Sequence, residues 1–132
     1  MKILVVHRQK EVIEKIKSVL RNNEPIIRFS DSGLDGLLAA RIEPFDLVIC
    51  STDLPVITGF ELVRSIRTNS VNKSVPVIFL ADELDEKMEH LGNALGVASM
   101  LPTRDMDARL ASIVSTQVKI APDKNWLDLL PN

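Results

Sequence analysis

The chain is poor in cysteine and has no long apolar run. Its single cysteine, Cys50, cannot form an intramolecular disulfide and lies in a short apolar stretch, which is typical of a reducing compartment. The apolar stretch at residues 1–6 is too short for the core of a signal peptide. No apolar run approaches the roughly 18 residues of a membrane-spanning helix. We therefore expect a cytoplasmic protein with no membrane partner.

Positive charge, glycine and histidine are also too sparse or too scattered for three other kinds of site. A net charge of −2 provides no basic field, so we expect no nucleic-acid partner. The five glycines are scattered, which excludes a Gly-rich phosphate-binding loop. The two histidines, His7 and His90, have no cysteine or carboxylate at the spacing of a metal site. No nucleophile–histidine–acid arrangement is evident, and we expect neither an enzyme nor a cofactor.

What the chain does contain is an alternation of two apolar patterns. Short continuous apolar runs are typical of strands covered on both faces, whereas spacings of three and four residues indicate amphipathic helices. Strands are predicted at residues 3–6, 25–29, 47–50, 75–80 and 97–101. Helices are predicted at residues 9–22, 34–42, 59–67, 84–95 and 105–116, with Asp82 capping the fourth and Gly96 ending it. The alternation predicts an α/β domain of (βα)5 type with a doubly wound, parallel, five-stranded sheet.

Four segments, in matching order and spacing, resemble the receiver domain of two-component response regulators. Residues 46–59 (DLVICSTDLPVITG) resemble the family's third strand and following loop, which reads Asp-Leu-Val, an acceptor aspartate, Leu-Pro and Met-Asp-Gly. Residues 32–37 resemble the start of its second helix, residues 76–81 its fourth strand, and residues 95–97 the turn before its fifth. The resemblance covers residues 1–116 and implies a flavodoxin-like strand order, 2-1-3-4-5, with a role in two-component signal transduction or a phosphorelay.

The positions at which receivers hold Mg²⁺ and the phosphoryl group carry other residues here. The resemblance implies an acidic pair after strand one, an acceptor aspartate after strand three, a serine or threonine after strand four and a lysine after strand five. The matching residues are His7 and Arg8, Ser51, Ala81, and Thr103. Mg²⁺ prefers carboxylate and water oxygens, and an arginine repels it. We therefore predict a degenerate phosphorylation pocket without Mg²⁺.

Several alternatives remain open at this pocket. Asp53, two positions after Ser51, is an alternative acceptor, and Ser51 could itself be phosphorylated by a kinase or simply satisfy backbone groups. His7 and Arg8 could hold an anion or a partner's carboxylate, or instead face solvent or cap the following helix. A small-ligand site in the same crevice rests on fold analogy alone.

Two surfaces are candidates for protein contacts. In receivers, the face of helix four, strand five and helix five is the usual partner and dimer surface. The corresponding residues here are Glu86, Lys87, His90, Met100 (at the family's aromatic switch position), Arg104, Asp107 and Arg109. Residues 117–132 form a predicted C-terminal tail or linker, with a short helix at 125–130 as one alternative. Its apolar residues, among them Trp126, could dock on their own domain or a second copy, or lead to an output domain.

Two functions follow. The first is a phosphorylation-independent signalling module, a pseudo-receiver, that acts through a protein partner, with a homodimer as one form. The alternative is a receiver that still accepts a phosphoryl group at Asp53 or Ser51. The identities of residues 7, 8, 51, 81 and 103 favour the first.

Overall fold

The structure is a computed structural model that describes residues 1–68 and 70–118. Its strands are β1 (Lys2–Val6), β2 (Ile26–Ser30), β3 (Leu47–Ser51), β4 (Val77–Ala81) and β5 (Ser99–Pro102). They form one parallel sheet in the order β2-β1-β3-β4-β5. The predicted (βα)5, flavodoxin-like α/β fold is therefore confirmed.

Five α-helices connect and follow the strands. They are α1 (Lys10–Val19), α2 (Gly33–Ile42), α3 (Gly59–Thr68), α4 (Glu86–Ala94) and α5 (Met106–Val118). Short 3-10 helices at Arg21–Asn23 and Thr103–Asp105 complete the described elements. None of the helices in residues 1–68 and 70–118 is long and apolar enough to cross a bilayer.

The fourth helix begins later than predicted. Its cap is Asp85, whose carboxylate accepts a hydrogen bond from the Met88 N–H at 2.8 Å, so the prediction that Asp82 caps it was wrong. The helix ends before Gly96, as predicted, and this glycine adopts the left-handed φ of +67° that favours its residue type. The Val97 N–H then bonds back to the Gly92 carbonyl, which delays the start of β5 to Ser99.

The end of the domain also differs slightly from the prediction. Helix α5 continues to Val118, two residues into the segment predicted as a tail. The helix considered at residues 125–130, and Trp126 within it, lie outside the described residues.

The sheet is buried on both faces, which explains its nearly continuous apolar strands. Along β1, Ile3 and Val5 face one core shared with α1 and α5, while Leu4 and Val6 face a second core shared with α2 and α3. A fully buried side chain of this size contributes about 1.5–3 kcal/mol of transfer free energy. The two cores fix the register, and the polar residues that follow the strands are therefore brought to one edge of the sheet.

Helix α2 packs with its small residues inward. Gly33, Gly36, Ala39 and Ala40 are buried, and a Cβ added to Gly36 would lie 2.8 Å from a methyl group of Val6. The close approach leaves little room for large side chains beneath the helix, although half-buried Leu37 packs at the margin of the core. The larger apolar residues on the opposite side of α2 therefore face outward, and this outer face comprises Leu34, Leu38 and Ile42.

Candidate functional site

A small recess at the carboxyl edge of the sheet brings together all five residues of the predicted pocket. Its lining comprises His7, Arg8, Gln9, Ser51, Thr52, Asp53, Leu80, Ala81, Asp82 and Thr103. Its volume is about 30 Å³, which is room for one or two water molecules. The alternative acceptor Asp53 also lies there.

The parallel register explains why these residues meet. His7 directly follows β1, Ser51 ends β3 and Ala81 ends β4, and the ladder pairs Ser51 with Leu80 and Ala81 with Pro102. Thr103 then begins the 3-10 turn after β5. Because all four strands run in the same direction, their last residues form one row at the crevice where this fold class places its chemistry.

His7 is a buried side chain with a defined role in the backbone. Its Nδ1 accepts a hydrogen bond from the Gln9 N–H at 3.0 Å, just before α1 begins. Burial lowers the pKa of His7, and the charge of Arg8 lowers it further, while the carboxylates of Asp82 and Asp53 partly oppose this. We infer that the ring is neutral at pH 7, with its proton on Nε2. The bond reaches the N-cap residue Gln9 itself, and α1 has no side-chain cap, so His7 does not cap this helix as one alternative from the sequence had it.

Arg8 and Asp53 form an ion pair at the mouth of the recess. The distance from Arg8 Nη2 to Asp53 Oδ2 is 3.5 Å, and the Asp53 side chain is 79% exposed. An exposed pair of this kind contributes at most about 1 kcal/mol to stability. The pair nevertheless places a positive charge beside the carboxylate that was the alternative acceptor.

The Ser51 hydroxyl is buried and hydrogen-bonded to the backbone of Asp53. Its Oγ lies 3.1 Å from both the amide nitrogen and the carbonyl oxygen of that residue, and so accepts from the N–H and donates to the C=O. A backbone hydrogen bond also fixes the loop after β3 to the start of α3, because the Gly59 N–H donates to the Thr52 carbonyl at 3.0 Å. A Cβ on Gly59 would lie only 2.1 Å from the Ser51 carbonyl oxygen.

The same loop contains a backbone conformation that is unusual for its residue. Val56 has a φ of 70°, and the Ile57 N–H reaches back to the Pro55 carbonyl at 2.8 Å. These features describe the rarer γ-turn, with positive φ at its centre. Left-handed backbone is a genuine outlier for a β-branched residue, so this loop stores strain.

Four residues that line the recess were not named as site residues in the sequence reasoning: Gln9, Thr52, Leu80 and Asp82. Asp82 was assigned to a helix cap, yet it lines the recess, and its carbonyl accepts a hydrogen bond from Arg104 at 3.3 Å. Its position directly after Ala81 was the signal that could have placed it. Gln9 had no comparable signal, since only the turn made by His7 brings it there.

Few groups in the recess can serve as ligands for a metal. Its carboxylates are Asp53, paired with Arg8, and Asp82. In the part of the chain that the structure describes, no three His, Cys, Asp or Glu side chains are grouped as a metal site. Cys50, which precedes Ser51, is fully buried, and burial strongly raises the pKa of its thiol.

The predicted partner surface lies on α4, β5 and α5 and is mostly charged and exposed. Met100 is half-buried, and it packs under Gly92, where a Cβ would approach its sulfur to 2.5 Å. The remaining members of this surface, all exposed, are Glu86, Lys87, His90, Arg104, Asp107 and Arg109.

Several of these exposed charges have partners close by. His90 lies 3.7 Å from Glu86 within α4, and Arg109 of α5 lies 3.9 Å from Asp105, which ends the preceding 3-10 helix. Asp107 meets Lys15 of α1 at 2.9 Å. The surface therefore carries charges of both signs, and Asp107 and Arg109 pair with neighbouring residues outside it.

Comparison with known proteins agrees with this architecture. Residues 3–114 match the family model described as the response regulator receiver domain. This chain belongs to that family. The resemblance drawn from its motifs is thereby confirmed, and the chain is a receiver domain of the kind used in two-component signalling.

Curated relatives are longer than this receiver. It is 32% identical over 80 residues to the transcriptional regulatory protein CusR of Escherichia coli (strain K12), which covers 61% of this chain and 34% of CusR. It is 21% identical over 89 residues to the cell cycle transcriptional regulator CtrA of Caulobacter vibrioides, covering 67% of this chain and 38% of CtrA. The matched segment thus spans little more than a third of either relative.

Solved receiver structures share the fold. The Vibrio cholerae chemotaxis protein CheY4 superimposes with a TM-score of 0.80 at 24% identity, covering 88% of this chain and 97% of CheY4. The receiver domain of the sensor histidine kinase PA1611 from Pseudomonas aeruginosa PAO1, which has magnesium coordinated in its cleft, gives 0.80 at 21% identity, covering 89% and 97%.

Proposed function

We propose that this receiver signals by binding another protein and accepts no phosphoryl group. The observation that carries the proposal is the state of Ser51, which stands where the family resemblance places the acceptor aspartate. Its hydroxyl is buried, and it both donates to and accepts from the backbone of Asp53. A hydroxyl engaged in this way is poorly placed to attack a phosphoryl donor or to enter a kinase.

The charges around Ser51 support the same conclusion. Mg²⁺ takes an octahedron of oxygen ligands, usually with one or two protein carboxylates. Here the end of β1 supplies the His7 ring and the Arg8 guanidinium instead. Two like unit charges about 4 Å apart repel by about 4 kcal/mol at an effective dielectric constant of about 20, and Mg²⁺ carries two. The residues of the recess do not fit the ion.

The lysine that the family resemblance implies after β5 is also replaced. Thr103 occupies that position and cannot neutralise charge on a transferred phosphoryl group. Phosphoryl transfer depends almost wholly on positioning and charge neutralisation, and a recess with Arg8, Ser51 and Thr103 at the matched positions supplies neither the acceptor aspartate nor the lysine and repels Mg²⁺. We infer that the chain is not an enzyme in its own dephosphorylation either.

The size of the recess argues against a small-molecule ligand. Ligand pockets usually have volumes of about 300–1,000 Å³. The recess offers about 30 Å³, and two of its lining residues, Arg8 and Asp53, are paired with each other.

A protein partner is then the natural recipient of the signal. The surface on α4, β5 and α5 presents charges of both signs, which suits a specific protein contact and sets its orientation. We expect this partner and the receiver to meet in the cytoplasm, without nucleic acid or membrane contacts by this chain.

Phosphoryl acceptance at Asp53 is the rival function. Two observations favour it: Asp53 is exposed at the mouth, and Asp82 lies in the same recess. Against it, the Asp53 carboxylate faces Arg8 and comes two residues after β3 has ended.

The decisive experiment is incubation of the full chain with Mg²⁺ and acetyl phosphate, or with beryllofluoride. We expect no gain in mass and no Mg²⁺-dependent amide shifts in residues 51–59. A stable mass gain that disappears in Asp53→Asn would establish the rival function instead.

A matched variant shows whether the assay can respond in this fold. Arg8→Asp, Ser51→Asp and Thr103→Lys, combined, restore a metal-binding carboxylate, the acceptor and the lysine. We expect this triple variant to acquire Mg²⁺-dependent amide shifts around residues 51–59 and to take up beryllofluoride. A wild-type response equal to that of the variant would contradict the proposal.

A further inference from the structure

Helix α4 is held to the domain by very little apolar burial. Of its nine residues only Gly92 is buried, whereas α2 and α3 each bury four residues. Leu91, in the second half of α4, is 41% exposed. A helix with few buried apolar contacts opens locally at a lower free energy than the core beside it. The polar contacts of α4 therefore matter more than those of the other helices.

The C-terminal end of α4 receives a cation from another helix. Arg67, in the last turn of α3, donates from Nε to the Leu95 carbonyl at 2.9 Å and from Nη2 to the Gly96 carbonyl at 3.2 Å. Leu95 is the C-cap of α4, and α4 has no basic residue in its own last turn. Carbonyls at the end of a helix lack intrahelical partners and carry the negative end of the helix dipole. Arg67 thus supplies from α3 the positive charge that α4 lacks.

The third nitrogen of the same guanidinium fixes this contact to the rest of the domain. Its Nη1 donates to the Lys73 carbonyl at 3.1 Å and to the Val75 carbonyl at 2.6 Å, in the segment that leads into β4. Val75 is buried in the core shared with α2 and α3. These four hydrogen bonds, the Arg67 bridge, join α3, the segment before β4 and the end of α4, a task that suits the planar fork of arginine.

No carboxylate accompanies this charge. Arg67 is half-buried, and burial lowers the pKa of its guanidinium. Within residues 1–68 and 70–118, it forms no ion pair with Asp or Glu. Backbone carbonyls alone therefore satisfy this cation, and movement of α4 away from α3 would break two charge-assisted hydrogen bonds together.

We propose that the Arg67 bridge holds α4 closed on the domain, and that α4 and the turn after it open as one local unit when the bridge is broken. Glu86, Lys87 and His90 of the predicted partner surface lie on α4, so Arg67 is a positioning residue for that surface. This consequence for a partner rests on the proposed function. The bridge itself is tested on the free protein, and its test is independent of whether the recess accepts a phosphoryl group.

Amide hydrogen exchange of the full chain, measured residue by residue by NMR, tests the proposal in wild type and Arg67→Gln. Glutamine retains good helix propensity but cannot reach all three segments. We expect exchange at residues 89–97 to accelerate at least roughly tenfold more than exchange at residues 48–50 of the buried strand β3. Equal acceleration in both regions would make Arg67 a residue of global stability only, and unchanged exchange in α4 would show that the bridge does not hold it. Either result overturns the proposal.

Arg64→Gln is the matched control. Arg64 lies one turn earlier on α3, is exposed, and lines the groove between α3 and α4 without taking part in the bridge. We expect residues 89–97 of this variant to exchange at wild-type rates. An acceleration equal to that of Arg67→Gln would trace the effect to the positive charge of α3 in general, which contradicts a specific role for Arg67.

Arg67→Lys separates the geometry of the bridge from its charge. Lysine keeps a positive charge near the end of α4, but its single ammonium group cannot span the carbonyls of all three segments. We expect α4 to exchange nearly as fast as in Arg67→Gln. Full wild-type protection in Arg67→Lys would show that charge alone holds the helix, and the bridge would be excluded. In the wild type, we expect residues 89–97 to exchange faster than residues 48–50, and equal rates would overturn the proposal that α4 opens as a separate unit.

Discussion

The recess at the carboxyl edge of the sheet and the outer face of α2 differ in how far their groups are satisfied. In the recess, polar side chains have found partners close by: Ser51 bonds to the backbone, His7 accepts from Gln9, and Arg8 meets Asp53. On α2, large apolar side chains remain in contact with water. The polar groups of the recess have little free energy left to gain from a ligand, whereas the apolar groups of the outer face of α2 retain the cost of their exposure to water.

This difference separates two kinds of substitution. Changes in and around the recess should alter the free energy of unfolding. Changes on the outer face of α2 should leave it almost unchanged, because exposed side chains there contribute little to folding.

Gly59→Ala should produce the largest loss of stability. Its Cβ would lie 2.1 Å from the Ser51 carbonyl oxygen, a backbone atom at the end of β3 that cannot move without disturbing the sheet. We expect a loss of about 2–3 kcal/mol in urea unfolding followed by circular dichroism.

The matched control is Gly33→Ala, at the first residue of α2. There the added Cβ would approach the side chain of Ile57, at 2.4 Å, and a half-buried side chain can move aside. We expect a loss of about 1 kcal/mol. Equal losses in the two variants would show that the recess loop is no more rigidly held than the start of α2.

Val56→Gly should stabilise the domain. A gain in stability would show that the loop after β3, which lines the recess, contains backbone strain at Val56. Glycine adopts a φ of 70° without the clash that valine suffers, although it loses more conformational entropy on folding. The net gain should be about 0.5–1 kcal/mol in urea unfolding.

Val71→Gly provides the control for this gain. Val71 is another exposed valine, and among the described residues only Glu24 and Val56 combine a side chain with positive φ. We expect Val71→Gly to lose a few tenths of a kcal/mol. A gain at both positions would indicate that the φ of Val56 is not the source of the effect.

The sequence was most informative about the strands and the positions that follow them. Continuous apolar runs placed β1, β3 and β4, and parallel register then brought residues 7, 51, 81 and 103 to one edge. The hydrogen bonds between the Ser51 hydroxyl and the backbone of Asp53 could not be predicted, because they depend on the turn that the loop adopts.

Helix α2 shows a different limit. The helical spacing of its apolar residues predicted the helix, but the structure buries the small residues of α2, because they allow the helix to approach Val6. Periodicity identifies two faces of a helix but does not decide which face is buried when both are apolar. Likewise, Asp82 and Asp85 are equally good caps by residue type, and only the path of the chain after β4 selects Asp85.

The pH dependence of the free energy of unfolding tests the burial of His7. At neutral pH we expect this effect to be smaller than those of Gly59→Ala and Val56→Gly. Because the pKa of His7 is lowered in the folded state, its contribution is fully present above the unfolded value of about 6.5. As the pH falls below that value, the unfolded chain takes up a proton first, and stability declines until the folded pKa is passed. One proton limits the slope to about 1.4 kcal/mol per pH unit.

His7→Asn should flatten this part of the profile, because its amide oxygen can accept from the Gln9 N–H in place of Nδ1 without titrating. Urea unfolding between about pH 7.5 and pH 5.5 measures the slope in both proteins. His90→Asn, a change at the other histidine, which is exposed on α4, should leave the wild-type slope intact. A slope that follows His90 instead would mean that His7 titrates freely. The His7 side chain would then take up a proton as readily in the folded protein as in the unfolded chain. The contrast with the outer face of α2 could then no longer be attributed to buried, hydrogen-bonded polar groups in the recess.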